Sequence, residues 1–263
     1  MKRSANTYRS GDKQRGLSLI ELMVAMLIGL VLILGVTQIF INNQKSYLFQ
    51  QGQVGNQENS RFTLAVLAQE LSKAGYRSKP ITVLPLGTGQ GCTFPAGTSV
   101  VAISATSLCI RYQAANKSDV NCLGGALASS DQDTIVSPYS QDNPIVVEKI
   151  WFDANTASIS CTSGTTTQQL VTGVTAVNFE YGSGPKDMKT VTAFSSSPPS
   201  DPIGAVRYAV LMQSPGTASL RDSATATSKA LSEWNTRFNT KLVEGNQIYQ
   251  IVQGTTMIRN QMQ

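Results

Sequence analysis

The sequence predicts an α+β fold, in which a long N-terminal helix packs on an antiparallel β-sheet head. Three features support this fold class. An apolar run of membrane length follows a short basic segment, and a helical apolar pattern continues after that run to about residue 75. From residue 76 onward, a region that we call the head, the composition changes to Thr, Ser, Gly, Val and Pro. Short alternating apolar runs replace the helical pattern there.

The apolar run extends over residues 17–41, and its polar residues are Ser18, Glu21, Thr37 and Gln38. At a rise of about 1.5 Å per residue, a helix of this length crosses the hydrocarbon layer of a membrane. The basic residues before the run favour a cytoplasmic N-terminus. A secretory signal has a shorter apolar core followed by small residues, whereas here the small residue, Gly16, precedes the core. A permanent signal anchor is the alternative interpretation.

The second half of the helix, residues 42–75, is predicted to be amphipathic. Apolar residues recur at steps of three and four at Leu64, Leu67, Leu71 and Ala74. Gly75 is well placed to end the helix, and Pro80 follows it. Because Gly52 and Gly55 each cost about 1 kcal/mol in a helix interior, we expect the middle of the helix to bend or fray.

The head is predicted to contain short strands of an antiparallel sheet. A loop rich in glycine and proline occupies residues 80–95. Alternating patterns predict strands at residues 98–104, 107–113, 133–137, 145–152, 157–161, 175–181, 205–213 and 247–258. A short helix is predicted at residues 225–238. The chain therefore divides into a leader at residues 1–16, the helix at residues 17–75 and the head at residues 76–263.

The positive charge of the chain is concentrated at its N-terminus. Residues 1–16 hold five basic residues and one acidic residue, which is +4 of the formal net charge of +5. The remainder is nearly neutral and has no basic stripe with interleaved aromatic residues, so we expect no nucleic-acid partner. The chain has no histidine, which is the commonest general base and metal ligand. We expect no enzymatic activity, no cofactor and no metal.

The acidic residues of the head are weak candidates for a site. Asp131 and Asp133 lie close together in the sequence, but Ser/Asp loops are usually solvated turns, and calcium binding there is a minor alternative. Glu148 and Glu180 lie in predicted strands. We expect both side chains to face solvent and not to form a paired acid and base.

Four cysteines, Cys92, Cys109, Cys122 and Cys161, follow the apolar run. An even number in an exported domain suggests two disulfides and an oxidising compartment, and the alternative is four reduced thiols in a cytosolic protein. Of three connectivities we favour Cys92–Cys109, which would tie the 80–95 loop to the first strand pair, with Cys122–Cys161. The second bond would stabilise the head by about 3–4 kcal/mol in the loop-entropy model. A zinc site is disfavoured, because no C-x-x-C pair is present.

Residues 15–26, Arg-Gly-Leu-Ser-Leu-Ile-Glu-Leu-Met-Val-Ala-Met, resemble the class III signal of type IV pilins. In that family, prepilin peptidase cuts after the glycine and methylates the new N-terminus. The resemblance implies cleavage between Gly16 and Leu17, N-methylation of Leu17 and a pilin-like fold. Most members have phenylalanine at the first mature position. Leucine is an accepted variant there.

Glu21 lies inside the apolar run, where an ionisable side chain costs a few kcal/mol. Cleavage would create an amine at Leu17, which is four residues away, or about one helical turn. In the pilin family the matching acid pairs with an N-terminal amine in the assembling filament. The resemblance therefore implies that Glu21 sets the register of assembly. The alternative is a membrane helix whose Glu21 side chain reaches the lipid headgroups.

Further stretches, at residues 61–64, 71–76, 122–125, 170–174, 179–182 and 255–260, resemble the PilW family of minor pilins. The resemblance implies a minor pilin that joins other minor pilins and the major pilin in a priming or tip complex, with a tip adhesin as a further candidate partner. It implies a place in the inner membrane with the head in the periplasm, and later on the pilus. The J-type minor pseudopilin of type II secretion and a pilin-like component of DNA uptake are the alternatives.

Overall fold

The computed structural model describes residues 16, 18–80, 82–136, 139, 141–185, 190–215, 227–245 and 247–261. The helices in these ranges are α1 (Leu19–Lys73), α2 (Ser129–Thr134) and α3 (Lys229–Phe238). The strands are β1 (Gly87–Gly89), β2 (Cys92–Phe94), β3 (Val100–Ser104), β4 (Ser107–Gln113), β5 (Ile145–Asp153), β6 (Ser158–Ser163), β7 (Thr166–Thr172), β8 (Val174–Ser183), β9 (Ala193–Ser195), β10 (Ile203–Gln213) and β11 (Tyr249–Met257). The chain divides into two compact units, residues 1–48 and 49–263.

The first unit contains the apolar half of α1. By length and composition this helix can cross a membrane, and none of its most apolar 18-residue stretch is buried within the protein. Apolar side chains are exposed around the whole circumference; Leu30, Leu34 and Phe40, for example, are 58%, 62% and 66% exposed. A helix that is apolar all round must be covered by lipid or by other protein.

In the second unit, α1 presents one face to the sheets. Its buried residues are Gly52, Asn56, Ser60, Thr63, Leu67, Glu70 and Leu71. The helix is uninterrupted at Gly52 and Gly55, so the expected fraying is not found. A Cβ atom at residue 55 would lie 3.1 Å from Cγ of Pro215, which shows that glycine permits a close approach here. Packing on the sheets stabilises the helix against the low propensity of glycine.

The C-terminal end of α1 is fixed by the conformation of Gly75 and by two hydrogen bonds. Gly75 has a φ of +76°, and its N–H donates to the Arg111 carbonyl at 2.9 Å. A Cβ atom there would lie 3.0 Å from the Ser99 hydroxyl, so both conformation and space favour glycine. The Asn260 side-chain amide donates to the Ala74 carbonyl at 3.2 Å, which satisfies a helix-terminal acceptor. The prediction that the helix ends at Gly75 is confirmed.

Two antiparallel sheets form most of the head. One is a five-stranded meander in the order β3-β4-β5-β6-β7, and the other is four-stranded in the order β11-β10-β8-β9. Strands β1 and β2 form a separate small hairpin. The predicted strands at 98–104, 107–113, 145–152, 157–161, 175–181, 205–213 and 247–258 all correspond to observed strands, with ends that differ by a few residues at most.

One hydrophobic core joins α1 to both sheets, and its side chains from β10 are Val206, Tyr208, Val210 and Met212. The opposite face of β10 supplies Ala209 and Leu211, which pack with Leu231 and Trp234 of α3. The four-stranded sheet is therefore covered on both faces over part of its length. These contacts confirm the predicted α+β arrangement of a long helix on antiparallel sheets.

Four local predictions differ from the structure. The predicted strand at 133–137 is wrong over its described part, because helix α2, which Ser129, Ser130 and Asp131 begin, extends to Thr134. Ile135 follows the helix and is buried, and residue 137 lies outside the described residues. Strand β7 was not predicted, since its Thr- and Gln-rich sequence lies at a sheet edge and is mostly exposed. The predicted loop at 80–95 contains the β1–β2 hairpin. Helix α3 begins at Lys229, and residues 225–226 of the predicted helix lie outside the described residues.

Candidate processing and assembly site

The predicted cleavage position lies directly before α1. Gly16 is exposed and non-helical, and no atom lies within 4 Å of a Cβ atom placed on it. Leu17 lies outside the described residues. The Ser18 carbonyl accepts the N–H groups of Glu21 and Leu22 at 3.0 and 3.2 Å, which starts the helix. An exposed glycine ahead of a helix start offers an accessible backbone to a peptidase.

Glu21 lies in the first turn of α1 and is exposed. An acid in the first turn interacts favourably with the positive end of the helix dipole. Among the described residues, no cationic side chain forms an ion pair with Glu21. The carboxylate therefore begins an apolar helix without a partner from the described part of its own chain.

The apolar surface after Glu21 has no cover within the first unit. No atom lies within 4 Å of a Cβ atom placed at Gly29 or Gly35. Leu22, Met26 and Ile33 are 48%, 67% and 68% exposed. This surface and the acid at its start are the parts of the described chain that are suited to a membrane or to the helices of other subunits.

The structure joins the cysteines in two pairs, with Cα atoms 6.4 Å apart for Cys92–Cys109 and 6.3 Å apart for Cys122–Cys161. Cys92 and Cys109 lie in a small buried cluster with Phe94, against which Val101 and Val147 pack. This bond ties the β1–β2 hairpin to the outer face of the five-stranded sheet.

The second pair ties the segment after β4 to β6. Cys122 and Cys161 belong to the main core and are 6% and 0% exposed. The segment between β4 and β5 is long, and α2 is the one helix in its described part, so this bond fixes the segment onto the sheet.

Glu148 does not face solvent, which corrects the expectation for this residue. Its side chain is fully buried, and Oε1 accepts the Tyr112 hydroxyl at 2.8 Å and the Cys122 N–H at 2.7 Å. Its Oε2 atom has no hydrogen-bond partner among the described residues. Burial raises the pKa of Glu148, and the charge of Lys73 and the two hydrogen bonds offset only part of this effect. Burial and the neighbouring Glu148 carboxylate also raise the pKa of Tyr112.

Glu180 is half-buried and lies in the other sheet. Its Oε2 atom is 3.3 Å from Arg207 Nη1 and 3.9 Å from Arg237 Nη2. Glu148 and Glu180 lie in β5 and β8, so the structure does not bring them together as an acid and base pair. From the alternating sequence pattern, Glu148 and Glu180 were both expected on an exposed face. Segments outside the five-stranded sheet cover Glu148.

The described residues contain one group of three side chains with metal-ligand chemistry, namely Cys122, Glu148 and Cys161. Both sulfur atoms are in a disulfide, which leaves a single carboxylate as a ligand. Asp131 and Asp133 of α2 do not form a three-ligand group with other described residues. The geometry therefore gives the calcium alternative no support.

Comparison with known proteins identifies the N-terminal segment. Residues 11–37 match the profile of the prokaryotic N-terminal methylation motif. The solved structures include a type IV-like pilin from Thermus thermophilus with a TM-score of 0.44 and 11% identity, an alignment that covers 78% of this chain and 96% of the pilin. No curated protein sequence matches the chain significantly. The matched motif contains Gly16, Leu17 and Glu21, so the chain carries a prokaryotic N-terminal methylation motif at the start of its apolar helix.

Proposed function

We propose that this chain is a PilW-type minor pilin, which prepilin peptidase cuts between Gly16 and Leu17 and methylates at Leu17. The mature protein then joins other minor pilins and the major pilin in a priming or tip complex of a type IV pilus. The observation that carries this proposal is the position of the methylation motif on an exposed apolar helix. Gly16 is accessible before that helix, and Glu21 lies in its first turn.

The proposed role of Glu21 follows from what surrounds its helix before and after assembly. Lipid tails and neighbouring helices are both apolar, so apolar packing alone selects no particular register between helices. A carboxylate in the hydrocarbon layer raises the free energy of the subunit until it pairs with a cation. Such a pairing is directional. The amine created at Leu17 of a neighbouring subunit is such a cation. Pairing would therefore favour the assembled state and define the axial position of each subunit.

The proposed position near the tip rests on the head. Residues 76–263 form a large sheet-rich region whose two disulfides suit the periplasm and the cell surface. A subunit with so large a head fits a few copies at a tip better than the repeated shaft. In this proposal the chain is first anchored in the inner membrane with the head in the periplasm.

The proposal is tested with Glu21→Val in cells that assemble pili. We expect the variant to be cleaved normally but to reduce the number of surface filaments severely, because the pairing group is lost. Glu58→Gln is the matched control, since Glu58 is an exposed acid on the second half of the same helix. The control should leave piliation unchanged.

Normal piliation in the Glu21→Val strain would contradict the assembly role of this residue. Measuring type II secretion in a strain that lacks the whole chain separates the pilus proposal from the pseudopilin alternative. We expect loss of pili with intact secretion. Intact pili with lost secretion would assign the chain to the secretion system.

A further inference from the structure

Strand β3 is an edge of the five-stranded sheet and pairs with β4 alone. The Ser99 carbonyl accepts the Arg111 N–H at 2.9 Å. Val101, which is two residues after Ser99, lies opposite Cys109 in β4. In an antiparallel pair, hydrogen-bonded and non-hydrogen-bonded positions alternate, so Val101 points its main-chain groups toward β4. The N–H and C=O groups of Val100 and Ala102 therefore point the other way.

These outward main-chain groups have no partner among the described residues outside β4. Val100 and Ala102 line an open cleft of about 580 Å³ that lies between β3 and residues 199–203, which lead into β10. The cleft is lined mainly by small apolar residues and by proline, including Pro95, Pro199 and Ile203. Proline has no N–H to offer, so these walls do not compete for the carbonyl groups of β3.

One wall of the cleft is rigidly held. The buried Arg111 guanidinium donates to the carbonyls of Thr98 and Pro95, and the Gln261 amide donates to the Gly97 carbonyl. Arg111 is 1% exposed. Because these contacts fix the wall in advance, an incoming segment would not have to order it, which favours binding.

Among the described residues that line the cleft, Asp201 is the only ionisable one. It is exposed, and no described residue forms an ion pair or hydrogen bond with it. An exposed carboxylate in a cleft whose other described lining residues are uncharged favours a partner with a basic residue at the matching position.

We propose that this cleft receives an extended segment of another protein chain, which adds to the edge of β3 as a further strand. The main-chain groups of Val100 and Ala102 would bind the backbone of that segment, and the cleft would accept its small apolar side chains. Asp201 would pair with one lysine or arginine of the segment. The inference deepens the proposed assembly role by naming the surface on the head that holds a neighbouring subunit.

The test uses the full chain in detergent micelles and a labelled, acetylated and amidated hexapeptide, Val-Thr-Val-Lys-Val-Thr. We expect saturable binding with a Kd below about 1 mM. The matched control is the same peptide with N-methyl groups on alternate amides, which removes main-chain donors and should weaken binding about tenfold or more. Equal binding of the methylated peptide, or no binding of the parent peptide at about 1 mM, would overturn the proposal.

Two protein variants test the named groups. Ala102→Pro removes the outward N–H at an edge position that tolerates proline and should abolish peptide binding without lowering the Tm. Asp201→Asn should weaken the lysine peptide about two- to fivefold and leave a peptide with norleucine in place of lysine unaffected. Unchanged binding of the lysine peptide by Asp201→Asn would overturn the role of Asp201.

A dimer of the full chain that Ala102→Pro abolishes would assign the edge to a second copy and overturn the proposal of a different partner. The titration does not depend on processing at Gly16. Failure of peptide binding alongside a methylated Leu17 terminus would therefore remove this inference and leave the proposed function standing.

Discussion

The Glu148 carboxyl is buried between the last turns of α1 and the Cys122–Cys161 disulfide, with one oxygen bound twice and the other unpartnered. A buried carboxylate without full hydrogen bonding is costly, and protonation relieves that cost. Lys73 is the nearby cation that lowers the pKa of Glu148, but it is itself bound to Glu70 at 2.7 Å. This residue therefore makes the stability of the head sensitive to pH.

Replacement of Glu148 by Gln tests that sensitivity. Because burial raises the pKa of Glu148 in the folded state, its stabilising contribution is complete below the unfolded pKa of about 4.3. The contribution is lost as pH rises through the folded pKa. Glutamine stays neutral, so the Tm of Glu148→Gln relative to the unmodified protein should increase as pH rises from acidic to neutral.

Thermal melts of the two proteins at several pH values measure this difference. Glu180→Gln serves as the control, because Glu180 is half-buried and already paired with Arg207. We expect that substitution to be neutral or destabilising at neutral pH. A Tm difference for Glu148→Gln that does not change with pH would show that the folded carboxyl titrates like the unfolded one.

At the scale of elements, α1 is held on the head by a few large side chains among small ones. Leu67 is fully buried, so Leu67→Ala should destabilise the head by about 2–5 kcal/mol. Phe62 lies on the same helix but is 54% exposed, and Phe62→Ala should change stability by about 0.5 kcal/mol or less. Chemical denaturation of both variants measures the contrast. Equal effects would mean that the packing face of α1 is assigned incorrectly.

The disulfide between Cys122 and Cys161 spans 39 residues. Replacement of both cysteines by serine should cost about 3–4 kcal/mol, because the unfolded chain regains the freedom of that loop. The Cys92–Cys109 bond spans 17 residues, and its removal should cost less. Thermal melts compare the variants, and non-reducing peptide mapping identifies the bonds. Four free thiols in the mature protein would contradict both pairings.

Element prediction succeeded where apolar periodicity and one buried face coincide, as in β10 and the second half of α1. The prediction of which side chains are buried failed where tertiary cover overrides alternation. Every residue from Leu108 to Gln113 of β4 is buried, since the 85–98 segment covers the outer face, and no alternating pattern marks that cover. Tertiary cover is also the reason why the burial of Glu148 could not be predicted from alternation. The edge strand β7 has too few apolar residues to signal a strand.

At the scale of the whole molecule, the chain combines two units with different requirements. The second unit buries its own core, whereas the part of α1 in the first unit, residues 19–48, exposes apolar side chains that lipid or other subunits must cover. The N-terminal processing motif could be predicted from the sequence because its spacing is local. The cleft beside β3 could not, because it arises from the packing of two sheets whose order the sequence does not specify.

The central claim is that the motif at residues 11–37 is processed, so that the working protein begins at Leu17. Mass spectrometry of the intact protein, purified from membranes of cells with active prepilin peptidase, measures this most directly. The account predicts an N-terminal peptide that begins at Leu17 and carries one N-methyl group, and an unprocessed chain in cells without the peptidase. An intact Met1 terminus in peptidase-positive cells would contradict it.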